Sequence, residues 1–171
     1  MYEELVKSTA KMVALWQTYG FCHGVLNTDN MSMLGLTIDF GPFGWMEHFD
    51  PGFICNHSDN DKGRYRYEAQ PAICKWNLGK LAEALDPILP MANSKAFLDA
   101  HYYEFYNEVY QPKLAMKLGL QDDNQETNML KSDEMAGLVE GFWAVMTKSG
   151  ADFTNTFRDL SGLTKQTEMT D

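Results

Sequence analysis

His23-Gly24-Val25-Leu26-Asn27-Thr28-Asp29-Asn30 is followed nine residues after Asn30 by Asp39-Phe40-Gly41. The first segment reads as a polar loop rich in Gly, Asn and Asp. Between the two lie short apolar runs, Met31–Leu34 and Leu36–Ile38, split by Gly35. That pattern predicts a small β-hairpin. A hairpin returns its ends to one place with little loss of loop entropy. Asn30 and Asp39 would then offer one amide carbonyl and one carboxylate from either side. Magnesium takes hard oxygen ligands, commonly one or two protein groups plus phosphates and water. The competing reading makes Asn30 a turn residue and Asp39 a helix cap, and spacing alone leaves both open.

Protein kinases carry H-R-D-x-x-x-x-N followed by D-F-G. His23, Asn30, Asp39 and Gly41 fall where that pattern places them, whereas the catalytic Asp position holds Val25. A valine side chain accepts no proton. The acid nearest the Asn is Asp29, a candidate general base for an attacking hydroxyl. Its alternative role is to shape the Asn27–Asn30 turn through side-chain hydrogen bonds. His23 reads as structural, and His48, His57 and His101 as isolated surface or core residues.

Working outward, residues 3–19 have helical periodicity, with Leu5, Met12, Val13 and Trp16 on one face and Gly20 as the stop. Residues 40–70 read as irregular and pinned by recurring aromatics. Pro71 suits a helix first turn, with Ile73, Trp76, Leu81 and Leu85 inward and Pro87 ending the helix. Ser94 is a candidate cap for a helix carrying Phe97, His101, Phe105 and Val109, which Pro112 is expected to kink or end. Residues 119–130 read as a polar linker. Ser132 is a candidate N-cap, with Asp133 and Glu134 in the first turn. Met135, Leu138, Val139, Phe142 and Met146 then form a stripe ending at Lys148 and Gly150. Asp152 is expected to start a last helix through Phe157 and Leu160. The expected fold class is mainly α (α+β), a single domain over 1–171 that is helical with a short β-hairpin at the active site. The order of helix, polar loop, hairpin and Asp-Phe-Gly is that of a kinase C-lobe.

The net charge is −10 and 44% of residues are hydrophobic, enough for a core rich in Met and Phe. This charge argues against a nucleic-acid surface and against docking on anionic membranes. Arg64 and Arg66, alternating with Tyr65 and Tyr67, are the concentrated positive charge nearest the loop and are expected to form salt bridges. Asn56, His57, Asp59 and Asp61 lack the order of an EF-hand and read as a solvated turn or partner-binding loop. Three cysteines without C-x-x-C argue against a disulfide framework and fit a reducing compartment. No signal segment or membrane-length apolar run is evident. The expected location is cytoplasmic, or mitochondrial in a eukaryotic homologue, and not secreted.

The run His23-Gly-Val-Leu-Asn-Thr-Asp-Asn-Met-Ser-Met-Leu-Gly-Leu-Thr-Ile-Asp39-Phe-Gly-Pro-Phe-Gly44 closely resembles the selenoprotein O family. So do Phe53-Ile-Cys-Asn-His-Ser-Asp59, Gly63-Arg-Tyr, Gln70-Pro71 and Trp76-Asn77-Leu78. The resemblance covers nearly the whole chain. It implies a kinase-like fold without the usual catalytic Asp. It also implies protein adenylylation, in which AMP moves from ATP to a Ser, Thr or Tyr hydroxyl of a protein substrate. In that family ATP is flipped relative to kinases. The resemblance makes Asp29 the base, Asn30 and Asp39 the ligands of Mg2+ (or Mn2+), and Asp39 also a nucleotide contact. The family's Gly-rich loop, Lys–Glu pair and two arginines belong to an N-lobe that precedes this segment, and no G-x-G-x-x-G occurs here. The expectation is a C-terminal catalytic lobe, weak or inactive without its N-lobe partner. Two other readings remain, a kinase-like phosphotransferase and a non-catalytic regulatory or binding domain.

Overall fold

The computed structural model describes residues 1–120 and 132–163, and the side chains of 132 and 133 are not among those described. The polar-linker expectation for 119–130 falls almost wholly outside them, as does the capping role of Ser132. The fold is mainly helical, as expected. α1 spans Tyr2–Tyr19, β1 Phe21–Cys22, β2 Gly44–Trp45, α2 Gln70–Ala84, α3 Met91–Lys117, α4 Ser132–Ser149 and α5 Phe153–Ser161. Short 3-10 turns occupy Thr28–Asn30, His57–Asp59 and Tyr67–Ala69.

The chain forms two compact units, Met1–Met46 with Asp50–Gln111, and Glu47–Phe49 with the chain from Pro112 onward. The first has its core on α1. Leu5, Val6, Ala10, Val13 and Trp16 are buried and cluster with Leu26, Cys74, Leu78, Leu98 and Tyr102. The apolar stripe is wide enough to bury α1 against α2. Gly20 closes α1 in the left-handed region (φ 72), its N–H bonded to the Trp16 carbonyl.

β1 and β2 pair antiparallel, Phe21 opposite Trp45 and Cys22 opposite Gly44. This is the only ladder among the described residues, and it corrects the expected hairpin. Ser32–Gly35 does turn, with Gly35 N–H 3.2 Å from the Ser32 carbonyl. The flanking runs form no strands, and Leu34 and Leu36 are exposed. The arms are too short to build a ladder of their own. They are held by α1 instead, through Trp16 Nε1 donating to Thr37 Oγ1 at 3.0 Å. The segment 23–43 is therefore a loop closed at its base by β1 and β2.

α2 carries its proline in the first turn, as read. Its inner face is Cys74, Asn77, Leu78 and Ala82. Trp76, expected inward, is 47% exposed. The inward positions follow the 3.6-residue period from Cys74, which leaves Trp76 on the outer side. α3 starts at Met91, whose N–H bonds Asp86 Oδ1 at 2.8 Å. Ser94 thus lies inside the first turn rather than capping it. The helix runs through Pro112 and ends beyond it. Gly119 (φ 71) donates to the Met116 carbonyl and Leu120 to that of Ala115, a Schellman close.

In the second unit, Phe49, Trp143, Phe153 and Phe157 form an aromatic core, with Phe49 stacked on Trp143 at 4.4 Å. Met146 is buried on α4, whereas Leu138 is 44% exposed. Asp152 caps α5 as read, its Oδ1 accepting from Asn155 N–H at 2.7 Å. Burial pushes the Lys117 ammonium down to about 8, with its Nζ 3.9 Å from the Phe157 ring centre.

Candidate active site

β1 delivers His23 into the interior, where it is 1% exposed. Gln70, the first residue of α2, grips this point twice. Its Oε1 accepts from His23 N–H at 2.8 Å and its Nε2 donates to the Phe21 carbonyl at 2.9 Å. The next carbonyls of the loop are satisfied by other side-chain amides. Asn56 Nδ2 donates to Gly24 at 3.1 Å and Asn77 Nδ2 to Leu26 at 2.9 Å. The Tyr65 hydroxyl donates to Asn27 Oδ1. Buried backbone groups need partners, and amides on α2 and the 50–69 segment supply what no ladder does here.

The braces are themselves braced. Asp59 is buried, and its two carboxylate oxygens accept from the N–H groups of Arg64 (3.0 Å) and Tyr65 (2.7 Å). The Asn56–Asp61 cluster is thus no solvated turn at its centre, since Asp59 organises the chain that carries Tyr65. Gln17 Nε2 donates to the Tyr67 carbonyl at 2.7 Å and the Tyr67 hydroxyl donates back to the Gln17 carbonyl, tying α1 to the approach to α2. Gly24 has φ 80, and a Cβ there would lie 2.5 Å from Cys55 Sγ.

Asp29 and Asn30 share the 3-10 turn Thr28–Asn30, closed by Asn30 N–H on the Asn27 carbonyl at 3.0 Å. Asp29 is exposed and Asn30 half-buried. Asn30 Nδ2 donates to the Val25 carbonyl at 3.1 Å. That bond fixes which end of the amide is nitrogen and leaves Oδ1 as the atom for a cation. Asp39 is exposed and has φ 56, the only non-glycine residue in that region among those described. Such a backbone is disfavoured for an L-residue, though Asp tolerates it better than most. Gly41 N–H closes on the Asp39 carbonyl at 2.7 Å. His23 Nε2 lies 2.8 Å from the Ile38 carbonyl, so the histidine that starts the loop tethers the residue before Asp39.

Among the described residues no three His, Cys, Asp or Glu side chains cluster to hold a metal. A closed structural centre is therefore not what these residues form. The Asn30 amide and the Asp39 carboxylate each carry an oxygen of the kind a hard cation takes.

Other sequence candidates sit elsewhere. His48 forms an isolated bridge with Asp152, and His101 Nδ1 lies 2.7 Å from Glu104 Oε2. Arg66 bonds Glu68 at 2.7 Å as expected of a salt-bridging residue. Arg64 instead stacks on Trp76, 4.9 Å from the ring centre. Cys22, Cys55 and Cys74 are free thiols. A hydrogen bond with Cys55, and then burial, push the Cys22 thiol up, while the same bond holds Cys55 below its usual value. The residues that sequence reasoning left without a role are Gln70, Asn77 and Gln17, while Asn56, read as part of a solvated turn or partner-binding loop, braces the Gly24 carbonyl. Their signal was an amide set among apolar residues, which points inward to a carbonyl in need of a donor.

Residues 1–171 match the family model described as Protein adenylyltransferase SelO. A mitochondrial protein adenylyltransferase SelO-1 of Danio rerio is 53% identical over 98% of this chain and 23% of its own length. The human mitochondrial protein adenylyltransferase SelO is 48% identical over 98% of this chain and 24% of its own. A protein nucleotidyltransferase YdiU of Myxococcus xanthus is 46% identical over 93% of this chain and 30% of its own. The chain thus spans between 23% and 30% of the length of these relatives. With the family model covering every residue and identities near one half, this chain belongs to the SelO family.

Proposed function

We propose that the chain is the catalytic portion, resembling a kinase C-lobe, of a protein adenylyltransferase that uses ATP and a divalent cation, Mg2+ or Mn2+. The observation that carries this reading is the tether between His23 and Ile38. It joins the start of the loop that carries Asp29 and Asn30 to the residue before Asp39, in a loop whose kinase-base position is Val25. The relatives' names, protein adenylyltransferase and protein nucleotidyltransferase, support the reaction class.

In this reading Asp29 accepts the proton of a Ser, Thr or Tyr hydroxyl on the target protein. The freed oxygen bonds to the α-phosphorus of ATP as the bond to pyrophosphate breaks. Asn30 Oδ1 and the Asp39 carboxylate would hold the cation, and Asp39 would also contact the nucleotide. A bound magnesium ion would neutralise charge developing on the phosphates. The left-handed backbone at Asp39 is strain of the kind found where a side chain must be aimed. Positioning and charge stabilisation dominate such transfers. We therefore place the remaining phosphate contacts in an N-lobe outside this chain, which on its own transfers AMP weakly or not at all.

The test is incubation with ATP labelled at the α-phosphate, with Mg2+ or Mn2+, with and without the remainder of a family member expressed separately. Label in protein together with released pyrophosphate supports the reading. ADP as the product would instead make the chain part of a phosphotransferase. No label with demonstrably associated pieces would favour a regulatory domain. Strong transfer by the chain alone would overturn the half-site view.

A further inference from the structure

Two hollows on the first unit share a wall at Lys80. The first, about 270 Å³, is lined by Met31, Leu78 and Leu81 with Thr28, Asn77 and Lys80. Thr28 immediately precedes Asp29, so this hollow adjoins the proposed base. Asn77 is 4% exposed. Its Nδ2 is committed to the Leu26 carbonyl, which fixes the amide orientation, and its Oδ1 has no hydrogen-bond partner within the chain.

The second hollow, about 400 Å³, lies beyond Lys80, between α2 and α3. It gathers Lys75, Lys80 and Lys95 around Trp76. Arg64 joins them from the preceding loop by stacking on Trp76 at 4.9 Å, and Lys80 Nζ lies 5.3 Å from the same ring centre. These cations come from separate stretches of a chain with net charge −10, so the concentration is a product of folding. Two acids face them. Glu83 bonds both Lys80 and Lys95 at 2.9 Å, and Asp99 bonds Lys75 at 2.8 Å. Three lysines against two acids in the hollow leave a positive surplus around an exposed indole, with the Arg64 guanidinium stacked on it. Arg and Trp are the residue types that anchor protein interfaces.

We infer that these joined hollows bind the acceptor segment of the protein substrate, taking an apolar residue beside the acceptor hydroxyl and acidic residues further along. This rests on the adenylyl-transfer reading for the position of the hydroxyl at Asp29. The Met-lined hollow takes the apolar side chain. Carboxylates then displace Glu83 from Lys80 and Lys95, and the Trp76 shelf carries the stem of the chain.

The experiment is fluorescence anisotropy of the 171-residue chain with two labelled peptides, at low salt and without nucleotide. One peptide carries a Ser, an adjacent Leu and a run of Glu, and the other has Lys in place of Glu. The Glu peptide should bind, more weakly as salt rises, and the Lys peptide should not. Lys75→Glu with Lys80→Glu should weaken binding roughly tenfold. Glu83→Gln should tighten it, a gain that misfolding cannot mimic. Equal binding of both peptides, no binding of the Glu peptide, or indifference to Glu83→Gln would overturn the inference. So would tighter binding of a single-stranded oligonucleotide at the same residues. Because nucleotide is absent, lost peptide binding with intact AMP transfer sinks only this inference. Peptide binding without AMP transfer sinks only the reaction reading.

Discussion

His23 Nε2 sits 2.8 Å from the carbonyl oxygen of Ile38, joining two points 15 residues apart in the chain. The ring is buried, and its backbone N–H is held separately by Gln70. One side chain therefore sets the spacing between the polar loop and Asp39. His23→Leu keeps much of the volume and removes the bond, leaving the Ile38 carbonyl without its partner. A loss of about 1–3 kcal/mol is expected from urea unfolding. Mn2+-dependent nucleotide binding, followed by water relaxation, should fall with it. Unchanged binding in a stably folded variant would separate the tether from the site.

Asp39 gives a cleaner split between stability and chemistry. At φ 56 a Cβ is penalised, so Asp39→Gly should be more stable than Asp39→Ala by about 1 kcal/mol. Both variants lose the carboxylate, and both should lose cation-dependent nucleotide binding. Retained binding in either would remove Asp39 from the ligand set.

Gly24 has neither conformational nor steric room. A Cβ would meet Cys55 Sγ at 2.5 Å and the Pro42 carbonyl oxygen at 3.0 Å, on a backbone at φ 80. Gly24→Ala is expected to destabilise by about 1–3 kcal/mol from overpacking, with the left-handed penalty added. A control at Gly41, where a Cβ meets nothing within 4 Å, should be far milder. Similar urea midpoints for the two variants would refute the packing of this loop.

The three thiols should differ in reactivity. Cys55 is partly exposed and its thiol is held below the usual value by its bond to Cys22. Cys74 is buried and pushed up by that burial. Only the thiolate attacks an alkylating agent. Iodoacetamide should therefore label Cys55 first in the folded chain, with a rate that rises with pH and levels off below the ordinary thiol range. Cys74 should react only on unfolding. Mass mapping of the modified peptides decides it, and early Cys74 labelling would contradict the core described here.

Much of the helical frame was legible because its signals are local. Gly20 stops α1 and Asp152 starts α5, each by backbone chemistry that needs no distant partner. The hairpin was misread because two short apolar runs around a glycine resemble paired strands. What holds them is Trp16, far off in sequence, bonding Thr37. Trp76 was placed inward on hydrophobicity alone, yet the neighbouring amide, Asn77, occupies the interior because the Leu26 carbonyl needs its N–H. The motif residues Asp29, Asn30 and Asp39 were visible in the sequence. The bracing roles of Gln70, Asn56 and Tyr65 were not visible, since a long-range donor has no local signature.

The ladder between β1 and β2 has only two residue pairs. His23 and Leu26 are anchored in the core, but residues 31–40 hang between that anchor and this short closure, and much of their order comes from side-chain donors rather than a continuous backbone network. Such a segment opens as its own unit while the helices beneath it stay shut. In hydrogen-exchange terms, amides of 31–40 should trade with solvent by local excursions, and those of α1 should wait for global unfolding. The consequence is evolutionary as much as dynamic. Because opening this loop does not melt the scaffold, substitutions within it can alter chemistry and leave the fold standing.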